Sequence, residues 1–421
     1  MNDHPILAGL SQAGMRMGLP RMKAFLARLG DPHLAYPTIH VGGTNGKGSV
    51  CRMVASMLEA QGYKVGVTTS PHLQDVNERI RIGATPISDA AFADLLETID
   101  RERVAWAAAE LPPDERFPLT YFEFLIAAAF LHFARERVDV GVIEVGMGGR
   151  LDATNIVSPI VTAIVTVGLD HTEHLGTDHA SIAGEKAGIL KPGVPVVVGP
   201  LTHEAMAVVR SVAVERGAPI AAFGEDFHGS GAAGAFDYRR GATLRGGLEV
   251  GLAGDHQVVN AAVALRIVEG LPDTLRVDEA AMRVGLRAAR NRGRLEWLAP
   301  DLLVDGAHNP DGATVLAGFL ARLPRDVRRT LLLGGGTDKD VRSVAWTLAP
   351  QFDHVYTTAC AHTKARSPAD VAAELEGLPI PVRPAGPLED ALALARSEGG
   401  LVVVAGSLYL VGAVRDLVGL R

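Results

Sequence analysis

Short β-branched runs alternate with longer helical patterns along nearly the whole chain. "TIHVGG" (38–43) leads through a Gly-rich turn into "SVCRMVASMLEAQG", where Val50, Val54, Met57 and Leu58 recur at helical spacing until Gly62 stops the pattern. "KVGVTTS", "VDVGVIEVG", "IVTAIVTVG" and "VPVVVG" are almost unbroken apolar runs, as strands buried on both faces of a parallel sheet are. Segments such as "TYFEFLIAAAFLHFARE" supply helices between them. This alternation predicts an α/β fold: a phosphate-loop-containing, doubly wound, mainly parallel sheet domain.

Residues 224–254 break the rhythm. They are rich in Gly and Ala, with alternation in "FDYRR" and "GATLRGGLEVGL" that predicts a short hairpin, followed by the plain helix "DHQVVNAAVALRIVEG". The basic, apolar-poor stretch "RVGLRAARNRGR" (283–294) reads as a linker. Beyond it the βα pattern restarts in "DLLVDGAHNP", "TLLLGGG", "HVYTTA" and "LVVVAGSLYLVGAVRDLV", a smaller Rossmann-like C-terminal domain. The division expected is 1–284, a linker at 285–293, and 294–421.

Composition narrows the function classes. The 421 residues suit two domains, and 48% hydrophobic with 21% charged residues is ordinary for a globular protein. A formal net charge of -7 provides no global basic field for a nucleic acid. The two cysteines, Cys51 and Cys360, have no metal-like or redox-like spacing, and the N-terminal stretch lacks the pattern of a secretory signal. "FLIAAAFLHF" (124–133) falls well short of the roughly 20 residues of a membrane span. A cytoplasmic protein, with no nucleic-acid or membrane partner, is expected.

The candidate chemistry starts at "HVGGTNGKGS" (40–49). A strand, a Gly-rich turn and a helix in that order let backbone N–H groups and a helix N-terminus face an anion. Lys47 would bring a point charge to the β/γ phosphates and Ser49 a hydroxyl for Mg²⁺. The spacing is not the common G-x-x-x-x-G-K-[ST], because Val41 stands at the first Gly and Gly48 separates Lys47 from Ser49. Glu144 ends another apolar strand, where a carboxylate suits a hard cation or a brace to Arg150. His171 follows a third strand and could be a plain loop residue, while Lys186 in "GEKAG" could be a solvated surface charge. "DGAHNP" (305–310) could be a turn into a helix capped by Asn309.

The variant G-T-x-G-K-x-[ST] resembles the Mur ligase superfamily, whose members use ATP to join a carboxylate to an amine. "GTNGKGS" is similar to its folate branch, folylpolyglutamate synthase and dihydrofolate synthase. "TTSPHLQDVNERIRI", "TYFE", "VIEVGMGGRLDATN", "LDHTEHLG", "IAGEKAGILKPG", "GDHQVVNAAVAL", "GRLE", "DGAHNPDG" and "AGSLYLVGAVR" follow in the family's order, with Arg292 where Pro is usual. The resemblance implies an ATP site at Gly43, Thr44, Asn45, Gly46, Lys47, Gly48, Ser49 and Val50, with Asn260, Arg294 and Asp305. It implies two Mg²⁺ ions held by Ser49, Ser70, Glu144 and His171, and leaves a monovalent cation open. Lys186 would be carbamylated and would join Lys47 and His308 in catalysis. Thr120, Tyr121, Phe122, Glu123, Leu151, Asp152 and Ala153 would surround a pterin, and His308 and Ser407 are the candidates for glutamate recognition.

The activity implied is ATP-dependent ligation of L-glutamate to dihydropteroate and to reduced folates through an acyl phosphate, by a monomer. A monofunctional folylpolyglutamate synthase is the alternative. A Mur ligase acting on a UDP-sugar would need a uridine-binding domain before a loop that already begins by residue 43. A P-loop NTPase switch would hydrolyse nucleotide without an acceptor and carry an Asp where "VIEVG" has Glu. An ATP-binding regulatory module would have no use for Ser70, Glu144 and His171 as metal ligands.

Overall fold

The computed structural model describes residues 4–11, 18–108 and 119–420. Its larger sheet has eight strands in the spatial order Thr85–Pro86, Ile80–Ile82, Val65–Thr68, Val140–Glu144, Thr38–Gly42, Val161–Ile164, Val196–Val198 and Ile220–Ala222. The six strands from Val65–Thr68 onward pair in parallel, and the two at the other edge are antiparallel. Thr38–Gly42 is central: His40 pairs with Ile143 on one side and Thr162 on the other, so the turn after Gly42 opens beside Glu144. Strand order reverses around this strand, which puts the crevice of a doubly wound sheet at that turn.

The helix Lys47–Gln61 lies against the sheet through Val50, Val54, Met57 and Leu58, all inaccessible to solvent, and ends at Gly62 in a left-handed conformation. The expected hairpin is a three-stranded antiparallel meander, Phe227–Ala232, Ala235–Arg240 and Thr243–Leu248. Its first strand, "FHGSGA", contains too many small residues to show the alternation that marks the other two. Phe227, Phe236, Tyr238 and Leu248 join the core around the helix His256–Glu269.

The second sheet runs Glu296–Ala299, Leu302–Val304, Leu401–Ala405, Arg329–Leu333, His354–Ala359 and Val382–Pro387, parallel apart from its first edge strand. Between the sheets, the helix Glu279–Ala288 takes in residues 285–288 of the stretch expected to be linker. Gly285 and Leu286 are buried, and Gly285 lies so close to the loop helix that an added Cβ would sit 2.4 Å from the Met57 Cα. The inner face also holds Ala281 and Met282, which lie before the stretch expected to be linker, and within that stretch the buried glycine adds nothing to an apolar count, which leaves Leu286 as its one large apolar residue on that face. No helix among the described residues is long and apolar enough to cross a membrane.

Candidate active site

The turn after Gly42 is tied down from the neighbouring strand end. The Thr44 amide donates to the Thr166 carbonyl (2.9 Å), and Thr166 Oγ1 accepts from the Asn45 amide and donates to the Asn45 carbonyl, both at 2.9 Å. Thr44 Oγ1 bridges the Gly168 carbonyl and amide at 3.1 and 2.9 Å. Gly46 caps the helix at φ +83, and a Cβ there would lie 2.6 Å from Asn260 Oδ1, so this position requires glycine twice over. No side chain caps the helix, and the first intrahelical bond is from Val50 to the Gly46 carbonyl. The amides of Lys47, Gly48 and Ser49 are therefore available to an anion. Lys47 Nζ donates to the carbonyls of Gly43 and Thr44, both at 3.0 Å, which leaves one of its three donors.

A cleft of about 800 Å³ opens over this loop. It brings together Gly43 through Ser49, Ser70, Glu144, His171, Lys186, Asn260, Arg294, Asp305 and His308, all expected at the site. Glu144 is 5% exposed and accepts from the Ser70 amide at 3.0 Å; Arg150 pairs with Glu185 instead, so the brace reading of Glu144 fails. Burial raises the Glu144 pKa against the pull of Lys47, the Ser70 amide, Arg52 and Arg294. Lys186 is 3% exposed, not a surface charge, and burial together with the Lys47 charge pulls its ammonium down to about 7. Burial and Lys339 pull His171 down to about 4, so its imidazole is neutral at ordinary pH, the form that binds metals.

Among the described residues no cluster of three His, Cys, Asp or Glu could hold a metal unaided. Mg²⁺ does not ask for one: it takes one or two carboxylates and completes its shell with phosphate oxygens and water. Glu144, His171 and the hydroxyls of Ser49 and Ser70 beside a phosphate loop fit that requirement. Ser49 Oγ accepts from Asn291 Nδ2 at 3.1 Å and, over a long 3.4 Å, from Gln257 Nε2, so a metal ion there would take the place of the weaker of the two donors.

Several expected residues lie outside the cleft lining. Val50 is in the core beneath the loop. Glu123 is buried in a capping box with Thr120, accepting its amide at 2.8 Å, and in an ion pair with Arg21 at 2.7 Å. Asp152 accepts from the amides of Met147 and Thr154 at 2.9 and 3.0 Å and caps a short 3₁₀ turn that holds Leu151 and Ala153 in place. The Phe122 ring covers Gly146, itself a lining residue, and Tyr121 lies under the Arg79 guanidinium at 5.7 Å. Ser407 caps the helix Leu408–Leu417. Both oxygens of Asp305 accept amides, from Leu295 and Ala307, each at 2.8 Å, so it shapes the turn that carries Arg294.

Some residues at the cleft went unread in the sequence. Thr166 shows only as the end of a strand pattern, and Gln257 and Asn291 as ordinary polar residues. Asp170 directly precedes His171, and it joins the two halves: Lys339 Nζ donates to it at 2.8 Å and Asn309 Nδ2 at 3.1 Å, with His308 Nε2 at 3.5 Å. Burial alone would raise its pKa, but the His308 bond and the Lys339 and His171 charges outweigh it and hold the carboxyl well below the usual range. Asn309 caps the helix Pro310–Leu320 and also donates to Asn45 Oδ1 at 3.1 Å, so it is a cap and a bridge to the phosphate loop.

Comparison with known proteins matches two family models to the chain. The family described as "Mur ligase middle domain" matches residues 41–268, and "Mur ligase, glutamate ligase domain" matches 293–408. A Mycobacterium tuberculosis dihydrofolate synthase/folylpolyglutamate synthase is 36% identical over 95% of this chain and 90% of its own. The crystal structure of a M. tuberculosis folylpolyglutamate synthase complexed with ADP and AMPPCP aligns at a TM-score of 0.90, with 35% identity over 98% of this chain and 97% of that one. A bifunctional folylpolyglutamate synthase/dihydrofolate synthase with Mn, AMPPNP and L-glutamate bound aligns at 0.87, with 32% identity over 100% and 99%.

Proposed function

The chain belongs to the Mur ligase family, in its dihydrofolate synthase/folylpolyglutamate synthase branch, and from that premise we propose that it uses ATP to join L-glutamate to dihydropteroate and to reduced folates. The observation that carries the reading is the meeting, in one cleft, of a phosphate loop, a buried carboxylate with no arginine on it and a buried lysine. A hydrolytic switch needs the loop and a strand-end carboxylate for its metal, but has no use for the buried lysine.

The loop amides and Lys47 would hold the β and γ phosphates while a carboxylate oxygen of the acceptor attacks the γ-phosphorus and ADP leaves. The glutamate amine, as the free base, then attacks the acyl carbon; phosphate departs and the amine gives up its proton to solvent. Two Mg²⁺ ions, when bound, would offset the charge of two anions brought together, and Ser49, Ser70, Glu144 and His171 are the residues that would hold them. Lys186, whose ammonium is pulled down to about 7 and so is partly deprotonated near neutral pH, could take up CO₂ as a carbamate and add an anion beside them. His308, fixed by its Nδ1–H to the Gly306 carbonyl at 2.8 Å, would face the incoming glutamate, with Arg294 at the nucleotide. Positioning and charge would do the work, with no nucleophilic side chain.

We place the halves at 1–288 and 294–421 and the protein in the cytoplasm as a monomer. The deciding experiment is ADP release with Mg-ATP and L-glutamate, comparing dihydropteroate, tetrahydrofolate and no acceptor, with product masses. A one-glutamate gain on both pterins is expected. Gain on tetrahydrofolate alone reduces the activity to folylpolyglutamate synthase, and release that ignores the acceptor overturns the reading.

A further inference from the structure

The cleft does not end at the phosphate loop. Past Ser49 it continues along the loop helix, where Arg52, Ala55, Ser56 and Glu59 fall at helical spacing on one face and line it. The small residues between the two charged ones leave an open floor. The facing wall carries Thr69 and Arg81, and the segment joining the two sheets closes the lobe with Arg290 and Arg292.

Positive charge here is only partly offset, with four arginines and two glutamates along the lobe. Among the described residues neither Arg52 nor Arg81 forms an ion pair: Arg52 reaches only the Thr69 hydroxyl, at 3.4 Å, and Arg81 donates to the carbonyls of Glu78 and Ala84 at 3.0 and 2.8 Å. Arg292 has no hydrogen-bond partner among them and is exposed. Two carboxylates are present but engaged with backbone: Glu78 accepts the amides of Leu73, Gln74 and Asp75 at 3.0, 2.9 and 3.0 Å, and Glu59 that of Ala84 at 3.2 Å. Burial, with the Arg52 and Arg292 charges and against the pull of Glu78, brings the Arg81 guanidinium down to about 9. Arg290 is spent on the carbonyls of Arg287 and Ala289, at 2.8 Å each, and the guanidinium groups of Arg52, Arg81 and Arg292 are left to share a half-enclosed lobe that an anion would stabilise.

We propose that this lobe binds the free α-carboxylates of a γ-glutamyl chain on the acceptor, an inference that rests on the ligase reading above. Dihydropteroate offers one carboxylate, the one that reacts. An acceptor ending in glutamate carries a second on the same residue, and each further glutamate adds another. The reacting group belongs beside Glu144, whose oxygen is held by the Ser70 amide; the next residue back, Thr69, is the one Arg52 reaches. The α-carboxylate thus comes within range of Arg52 and Arg81, whose planar forks match it, and Arg292 meets the chain further out. The lobe makes the site favour tailed acceptors over dihydropteroate.

The test is steady-state kinetics of Arg81→Gln, Arg81→Lys and Arg292→Ser with three acceptors: dihydropteroate, tetrahydrofolate and tetrahydrofolate tri-γ-glutamate. Each lost guanidinium should raise KM for the triglutamate about tenfold, the effect of one charge-assisted hydrogen bond, with KM for dihydropteroate and L-glutamate changed less than about twofold. Arg292→Ser, at an exposed position, guards against a folding artefact, and Arg81→Lys should recover only part of the loss. An equal rise for every acceptor overturns the proposal, as does a rise for L-glutamate alone, which would assign the lobe to the incoming amino acid. Calorimetric titration of tri-γ-L-glutamate into the ADP-bound protein tests the lobe without the reaction. Saturable binding that Arg81→Gln abolishes supports it even if no pterin is ligated, whereas absence of binding by the wild type at millimolar peptide overturns it.

Discussion

Lys186 and Glu144 are buried ionisable groups that the fold tolerates at a cost, and the sign of that cost is measurable. The Lys186 ammonium falls from 10.5 to about 7 on folding, so between those values the folded chain binds fewer protons than the unfolded one. The destabilisation is complete below about pH 7 and fades as pH rises toward 10.5. Lys186→Met should therefore be more stable than wild type by about 3–5 kcal/mol at pH 6.5 in CO₂-free buffer, with a smaller gap at pH 9. Urea midpoints at the two pH values check this, and a gap that widens with pH contradicts it. Glu144 is raised by burial, so its charge also opposes folding at neutral pH. Glu144→Gln should melt no lower than wild type while abolishing ADP release, and Lys47→Ala should abolish it with the fold intact. Wild-type turnover by either variant would remove that residue from the catalytic account. If Lys186 carries a carbamate, removing CO₂ should lower activity and bicarbonate restore it, in the wild type but not in Lys186→Met.

Packing of the helix Glu279–Ala288 on the loop helix rests on Gly285. A Cβ there would meet the Met57 Cα at 2.4 Å and its N at 2.5 Å, and backbone cannot give way as a side-chain tip can. Gly285→Val should cost about 1–3 kcal/mol or more and lower the melting temperature, and nucleotide affinity with it, because the loop sits at the start of the displaced helix. A melting curve unchanged from wild type would mean that the helices separate freely. The same residue explains what the sequence left hidden. Elements with a strong apolar period, such as the helix Lys47–Gln61 and the strands around it, were legible because burial and period coincide. Residues 285–288 were not, since Gly285 has no side chain to count and Leu286 is the one large apolar residue among them, the rest of the buried face lying at Ala281 and Met282. At the site, loop residues and strand-end groups such as Glu144 could be read from their position in a βα unit. Thr120 and Glu123 carry a capping-box spacing, which a search for substrate groups passes over, and Glu123's Arg21 partner lies 102 residues away. Partnerships at such distance have no local signal.

At the scale of the whole molecule, the two sheets meet through a polar seam that borders the phosphate loop. Asp170 takes Lys339 and Asn309 from the C-terminal side, and Asn309 exchanges hydrogen bonds with Asn45 in the loop itself, at 3.1 and 3.3 Å. A second clasp lies away from the loop, where Gln74 donates to Asp416 at 2.8 Å and accepts from Arg415 at 2.8 Å. Because the first clasp includes a loop residue, the relative position of the halves and the geometry of the nucleotide site are coupled; the second clasp lacks that link. Asp170→Asn keeps the shape but removes the charge facing Lys339, and a half-buried pair broken on one side costs about 1–3 kcal/mol. The variant should bind ADP roughly tenfold more weakly and be cut faster by protease at 289–293, with the cleavage suppressed by saturating ADP. Gln74→Ala should loosen the halves without the same loss of ADP affinity. Equal effects of the two variants on ADP binding would show that closure alone matters, and that the Asp170–Asn309–Asn45 chain carries no specific link between the seam and the loop.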